Sequence, residues 1–250
     1  MTQLLYILMN YLNNSFKKDT NYYIAQTLTH NIDKISNWSL EYAAICCNVS
    51  VSTLNRFFHD IGYKNFSRMK EIIYYNEEYK SIRLNSDSMD KAVEAIKQTL
   101  DNINKIDLEV FNEIADYIFK SKQVIFYAYG ENLNFTLKTQ VELMLNGKYS
   151  ISRIDILRQM DLIKEVDEDD LIICISISGR SIANKDLKTI INTKNCKSIL
   201  ITQIQDCSSF DYFDFILNLG PNYGYNSSKY AVEYLMDLIC SAYKSRVNFL

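Results

Sequence analysis

Four short apolar runs in the second half of the chain restrict the fold more than any other feature. They are QVIFYAYG from Gln123, LIICISISG from Leu171, KSILIT from Lys197 and DFILNLG from Asp214. They alternate with stretches of helical periodicity, at residues 133–146 and 182–193 and in the closing segment Asn226–Val247. A strand that is apolar at nearly every position is covered on both faces, and helices between such strands imply parallel connections. The second half is therefore read as an α/β unit of three layers around a parallel sheet. KYSISRIDI adds a possible further strand, and Ile156–Val166 a helix.

The composition agrees with a globular chain. Of 250 residues, 48% are hydrophobic and 23% charged, a balance that leaves no room for extended disorder. Six glycines and one proline argue against collagen-like or turn-dense β architecture. No apolar stretch approaches a membrane span, and the opening MTQLLYILMNYLNN lacks a basic region and a small-residue cleavage site. The chain is read as cytoplasmic, with no membrane contact. Cys46, Cys47, Cys174, Cys196, Cys207 and Cys240 form no C-x-x-C pair and are read as reduced thiols packed as small hydrophobes. His30 and His59 are the only histidines, so a His-rich metal site is excluded, and no cofactor is expected.

The front third reads as helical throughout. Leu4, Leu5, Leu8 and Leu12 follow one helix period; Asp19 or Thr20 caps a second helix to about residue 31; Ser39 caps a third. VSVSTLNRFFHDIG then opens on Ser50 and Ser52, both suited to an N-cap, and closes on Gly62. Two short helices about three residues apart have the helix-turn-helix spacing. A further helix fits residues 66–80. The polar segment 81–90, SIRLNSDSMD, marks the junction, and Asp90–Ile106 and Asp107–Lys120 read as helices. The expected division is residues 1–80 as an all-α unit, 81–106 as linker and connecting helix, and 107–250 as the α/β unit.

Charge is uneven. Up to Lys80 eight basic residues stand against seven acidic ones, leaving 19 and 23 in the remainder. Between Arg56 and Lys70 lie four cations and the single acid Asp60. A local basic stripe can meet phosphates on an acidic protein. If the second helix of the pair entered a major groove, Ser50, Ser52, Thr53, Asn55 and Arg56 would face the bases. Asn pairs with adenine and Arg with guanine, each through two hydrogen bonds. Val49, Leu54 and Phe57 would point to the core. The same pattern equally describes a plain helical hairpin with a solvated Arg56.

In the second half, ISISGRSIANKDL places Ser176, Ser178, Gly179, Arg180 and Ser181 between a buried strand and a helix. Ligands of parallel sheets sit beyond the carboxyl ends of the strands. Hydroxyls, a glycine allowing close approach and a helix N-terminus suit a phosphate monoester. The alternative is that Ser178 or Ser181 simply caps the helix.

LEYAAICCNVSVSTLNRFFHDIGYKNFSRMK resembles the N-terminal domain of the RpiR family of bacterial transcriptional regulators. That family's pattern is matched in one register by Val49, Ser50, Thr53, Arg56, Phe57, Gly62, Tyr63, Phe66 and Lys70. The S-x-S-G-x-[ST] loop is similar to that of sugar isomerase (SIS) domains, which follow this module in the same family. The resemblance implies an all-α helix-turn-helix domain joined to an SIS-type α/β domain. Ser52, Thr53, Asn55 and Arg56 would then face DNA, with Lys64, Asn65, Arg68 and Lys70 near phosphates. Ser176, Ser178 and Ser181 would contact a sugar phosphate, with Thr202 and Glu233 as further pocket positions. The first loop departs from the family's G-x-G-x-S: the chain has Ala128-Tyr129-Gly130-Glu131-Asn132, with Asn132 where serine is expected.

The resemblance leads to a regulator, expected to repress carbohydrate genes, that binds an inverted-repeat operator in double-stranded DNA as a homodimer or homotetramer. Its effector would be a sugar phosphate. The alternative is an SIS-type phosphosugar isomerase. Isomerisation needs a general base and acid; both histidines lie in the front third, and such an enzyme has no use for a groove-reading module.

Overall fold

The computed structural model describes residues 2–75, 86–130, 132–153, 156–183, 185–224 and 227–248. The chain divides into two compact units, 1–81 with 154–158, and 82–153 with 159–250.

The front unit is helical: α1 (Thr2–Asn14), α2 (Thr20–His30), α3 (Leu40–Cys46), α4 (Val51–Asp60) and α5 (Phe66–Tyr75), with a 3-10 turn at Ile35–Asn37. Asp19, Ser39 and Ser50 each accept a backbone N–H of the helix that follows, as short polar side chains at N-caps do. Leu4, Leu8, Ile24, Leu28, Leu54, Phe57, Phe58 and Met69 fill one core. The expected helix over 66–80 is seen as far as Tyr75; residues 76–80 lie outside the described residues.

Helix α6 (Ser86–Ile103) is already formed at Ser86, ahead of the expected start at Asp90. The rest of the expected junction, residues 81–85, lies outside the described residues. Ile103 of α6 joins the core of the second unit. Asp107 caps α7 (Leu108–Lys120).

The α/β part follows as β1 (Val124–Ala128), α8 (Asn132–Leu145), β2 (Ser150–Ser152), α9 (Ile156–Lys164), β3 (Leu171–Ile175), α10 (Lys185–Lys194), β4 (Lys197–Thr202), β5 (Phe215–Asn218) and α11 (Ser227–Asn248). The sheet is parallel throughout, in the order β2-β1-β3-β4-β5. Alternate strand residues feed two separate cores. Phe126, Ile173 and Ile201 meet α7, α8 and α11 on one face; Ile125, Ile172 and Leu200 meet α9 and α10 on the other. This is the three-layer arrangement that the apolar runs imply. KYSISRIDI contributes the short strand β2.

The six cysteines are free thiols. Burial pushes Cys47 and Cys196 up to about 11 and Cys240 to about 12, so they stay protonated and serve as packing. Among the described residues, no helix is long and apolar enough to cross a membrane, and no cluster of His, Cys, Asp and Glu is placed to hold a metal ion.

Candidate functional site

In the front unit the turn between α3 and α4 is set by Asn48, whose φ of 53° lies in the left-handed region that asparagine tolerates. The Val49 N–H donates to the Ala44 carbonyl at 3.0 Å. Ser50 then caps α4, and its hydroxyl lies 2.8 Å from that of Ser52 and 2.9 Å from that of Thr53. Leu54 and Phe57 are fully buried and Val49 packs against the same core, as their positions imply. Phe58, buried beside them against Tyr63 and Phe66, is a core residue the sequence reading passed over. What α4 leaves outside is Val51, Ser52, Arg56, His59 and Asp60, with Thr53 and Asn55 half-buried.

Two candidates are occupied differently from the expectation. The Lys70 ammonium donates to the Trp38 carbonyl at 2.9 Å and lies over the Phe66 ring, so it ties α5 to the 3-10 turn. The Asn55 Oδ1 is buried without a hydrogen-bond partner, so pairing with adenine through both amide atoms requires the side chain to turn outward. Lys64 and Asn65 are exposed, and Asn65 also accepts the Arg68 N–H at 2.8 Å at the start of α5. Arg68 itself pairs with Glu71 at 2.6 Å on the surface.

In the second unit the sheet order creates a switch point. From β1 the chain leaves through α8 on one face; from β3 it leaves through α10 on the other. The carboxyl ends of β1 and β3 therefore open a crevice, the standard ligand position of this strand order. The loop after β3 carries Ser176 to Ser181. Ser181 Oγ donates to Ser176 Oγ at 2.6 Å; Ser176 is buried, while Ser178 and Arg180 are exposed. Gly179 has φ of 74°, a left-handed backbone that favours glycine, and a Cβ there would push the tip of the Ile204 side chain aside. Helix α10 starts only at Lys185, so the serines sit on a turn and not in the helix's first turn. Asn184 and the first loop's Glu131 lie outside the described residues.

Thr202 is fully buried and donates to the Ser176 carbonyl at 2.8 Å, which makes it a brace beneath the loop. Glu233 lies on α11, where its carboxylate meets Lys138 of α8 at 3.3 Å, with Asp237 on the same ammonium. Thr202 thus lies against the serine turn, and Glu233 bridges α11 to α8. Asn132 opens α8 and is half-buried.

Sequence reasoning missed two glutamines. Among the described residues, the pairing of β1 with β2 ends at Phe126. The buried Gln159 of α9 pairs with Ala128: its Nε2 donates to the Ala128 carbonyl at 2.7 Å and its Oε1 accepts the Ala128 N–H at 3.1 Å. It thus fixes the exit of β1 into the first loop. Gln203, just past β4, donates its N–H to the Ile177 carbonyl at 3.1 Å and its Nε2 to the Pro221 carbonyl at 3.3 Å. The two loops are also joined through tyrosines: Tyr129 Oη donates to Tyr127 Oη at 2.5 Å, and Tyr127 Oη lies 3.4 Å from the Ser181 carbonyl. Gln159→Leu keeps the size of the side chain but leaves two buried backbone groups of Ala128 unpaired. It is expected to cost about 2–4 kcal/mol in chemical denaturation; a loss under about 0.5 kcal/mol would contradict the role given to it.

Residues 117–236 match the family model described as SIS domain. A curated relative from Providencia stuartii, described as an uncharacterized HTH-type transcriptional regulator in the aarA 3′ region, is 24% identical over 215 residues, covering 80% of this chain and 75% of its own length. The NanR protein of Vibrio vulnificus, solved in complex with ManNAc-6P, superimposes with a TM-score of 0.53 at 16% identity, covering 97% of this chain and 92% of that one. The sugar isomerase domain of an RpiR transcription factor from Sphaerobacter thermophilus gives a TM-score of 0.52 at 14% identity, covering 67% and 93%. At these identities the solved structures establish the fold. The second half of this chain thus matches the SIS domain over residues 117–236, and a helical unit precedes it.

Proposed function

We propose that this chain is a DNA-binding transcriptional regulator of carbohydrate genes, a repressor, whose SIS domain binds a sugar phosphate. The observation that carries the reading is the presence, in one chain, of a short capped helix with Ser52 and Arg56 exposed and of a serine turn at the switch point of a parallel sheet. The Vibrio relative holds ManNAc-6P, which favours the same ligand class here. Ser176, Ser178, Gly179, Arg180 and Ser181, with Asn132 across the crevice, are the proposed ligand contacts. Ser50, Ser52, Thr53, Asn55 and Arg56 are the proposed groove residues, with Lys64 and Asn65 at flanking phosphates. The α/β unit contains no histidine, and the helical head has no part in sugar isomerisation, so binding is favoured over catalysis.

Helix α8 presents an outward stripe of Leu137, Val141, Met144 and Leu145, spaced as one helix face and 50–81% exposed. A stripe of this kind is proposed to be covered by a second copy, giving a two-fold pair of heads and an inverted-repeat operator. The sugar phosphate alters DNA affinity to the extent that it binds the two arrangements of those heads unequally.

The test is selection of bound duplexes from a random library, then titration with ManNAc-6P and a panel of hexose and pentose phosphates. Expected are an inverted-repeat consensus, affinity falling with salt at a slope of roughly −0.9 per phosphate neutralised, and a change in DNA affinity with one sugar phosphate. No selected sequence would remove the DNA reading. Conversion of fructose 6-phosphate to an aldose would favour the isomerase.

A further inference from the structure

We infer that Val51 reads a thymine methyl group in the operator and is a specificity-determining residue of the head. The inference rests on the reading of α4 as a groove helix and adds a residue to it. In that geometry the first helical turn faces the base edges. The hydroxyls of that turn also bond to one another. The Ser50 hydroxyl accepts the Thr53 N–H at 3.1 Å and lies 2.8 Å from Ser52 Oγ and 2.9 Å from Thr53 Oγ1. Asn55 has its carbonyl oxygen buried.

Val51 is different in kind. It is the first residue of α4, and it is 38% exposed where Leu54, Phe57 and Phe58 of the same helix are fully buried. A β-branched side chain at this position gains nothing for the helix itself. The C5-methyl of thymine is the one apolar feature of the major-groove edges, and an aliphatic side chain is its natural complement. Arg56, five residues on, supplies the complementary polar chemistry, a fork for guanine or for a phosphate. Five residues of helix rise about 7.5 Å, so the two side chains sample different base pairs of the half-site.

The experiment uses the full chain and the duplex it selects. Each thymine of the half-site is replaced in turn by uracil, which removes only the methyl group, and affinities are measured for the native chain and for Val51→Ala. At one position uracil is expected to weaken the native chain about fourfold per half-site, the value of one methyl group taken out of water. Val51→Ala is expected to weaken binding to the thymine duplex similarly and to be indifferent to uracil at that same position. The cycle isolates the contact from any change in DNA stiffness, because stiffness affects both proteins alike. Alanine at an exposed helix position favours the helix, and circular dichroism checks that the fold is retained. Undiminished sensitivity of Val51→Ala to that uracil, or a half-site without thymine, would overturn the assignment while leaving the groove reading intact. Failure of the native chain to select any duplex would remove both.

Discussion

Ser178→Ala combined with Ser181→Ala is expected to remove the thermal stabilisation by sugar phosphate while leaving operator affinity unchanged. Hydrogen bonds to a charged phosphate are worth about 1.5–3 kcal/mol each, so losing two weakens the ligand roughly 100-fold or more. The head is a separate compact unit, which is why DNA affinity in the absence of ligand should hold. The pair also has a stability signature. Ser181→Ala takes the partner from Ser176 Oγ, which sits on a buried residue, and an orphaned buried hydroxyl costs about 1–3 kcal/mol. Adding Ser176→Ala removes that orphan, so the triple variant should recover part of the loss and still ignore the ligand. A thermal shift that survives in the double variant would place the phosphate elsewhere.

The elements were legible because each relies on a local signal. Continuous apolar runs, 3.6-residue periods, and caps at Ser39 and Ser50 are written within a few residues of where they act. What local signals do not show are partners distant in sequence. Nothing near Gln159 indicates that its amide pairs with both backbone groups of Ala128, a need that exists only once the sheet is assembled. Thr202 carries a hydroxyl at the end of a strand, the correct place for a pocket residue. Its complete burial and its bond to the Ser176 carbonyl turn it into a support. Lys70 sits in a basic stretch, but the Trp38 carbonyl 32 residues away takes its ammonium. The late start of α10 follows from Gly179, whose left-handed backbone makes a turn before the helix can begin. Charge and hydroxyl content thus name candidates well, while burial decides which of them remain available to a ligand.

Arg56→Ala is expected to reduce operator affinity by 100-fold or more without unfolding the chain. Arg56 is exposed, and its neighbours on the buried face of α4, Leu54, Phe57 and Phe58, supply the packing. Alanine is a stronger helix former than arginine, so helix stability does not fall. The loss at the groove is different in scale. A bidentate arginine contributes about 1–3 kcal/mol at each half-site, and a two-fold dimer loses it twice. Arg56→Lys separates the two ways in which the residue can act. A lysine keeps the charge but not the planar fork, so a phosphate contact should be largely restored, with the salt slope unchanged. A guanine contact should remain lost, and with it the preference at that one base pair. Unchanged operator binding by Arg56→Ala would mean that α4 does not face the duplex, whatever the spacing of the two helices.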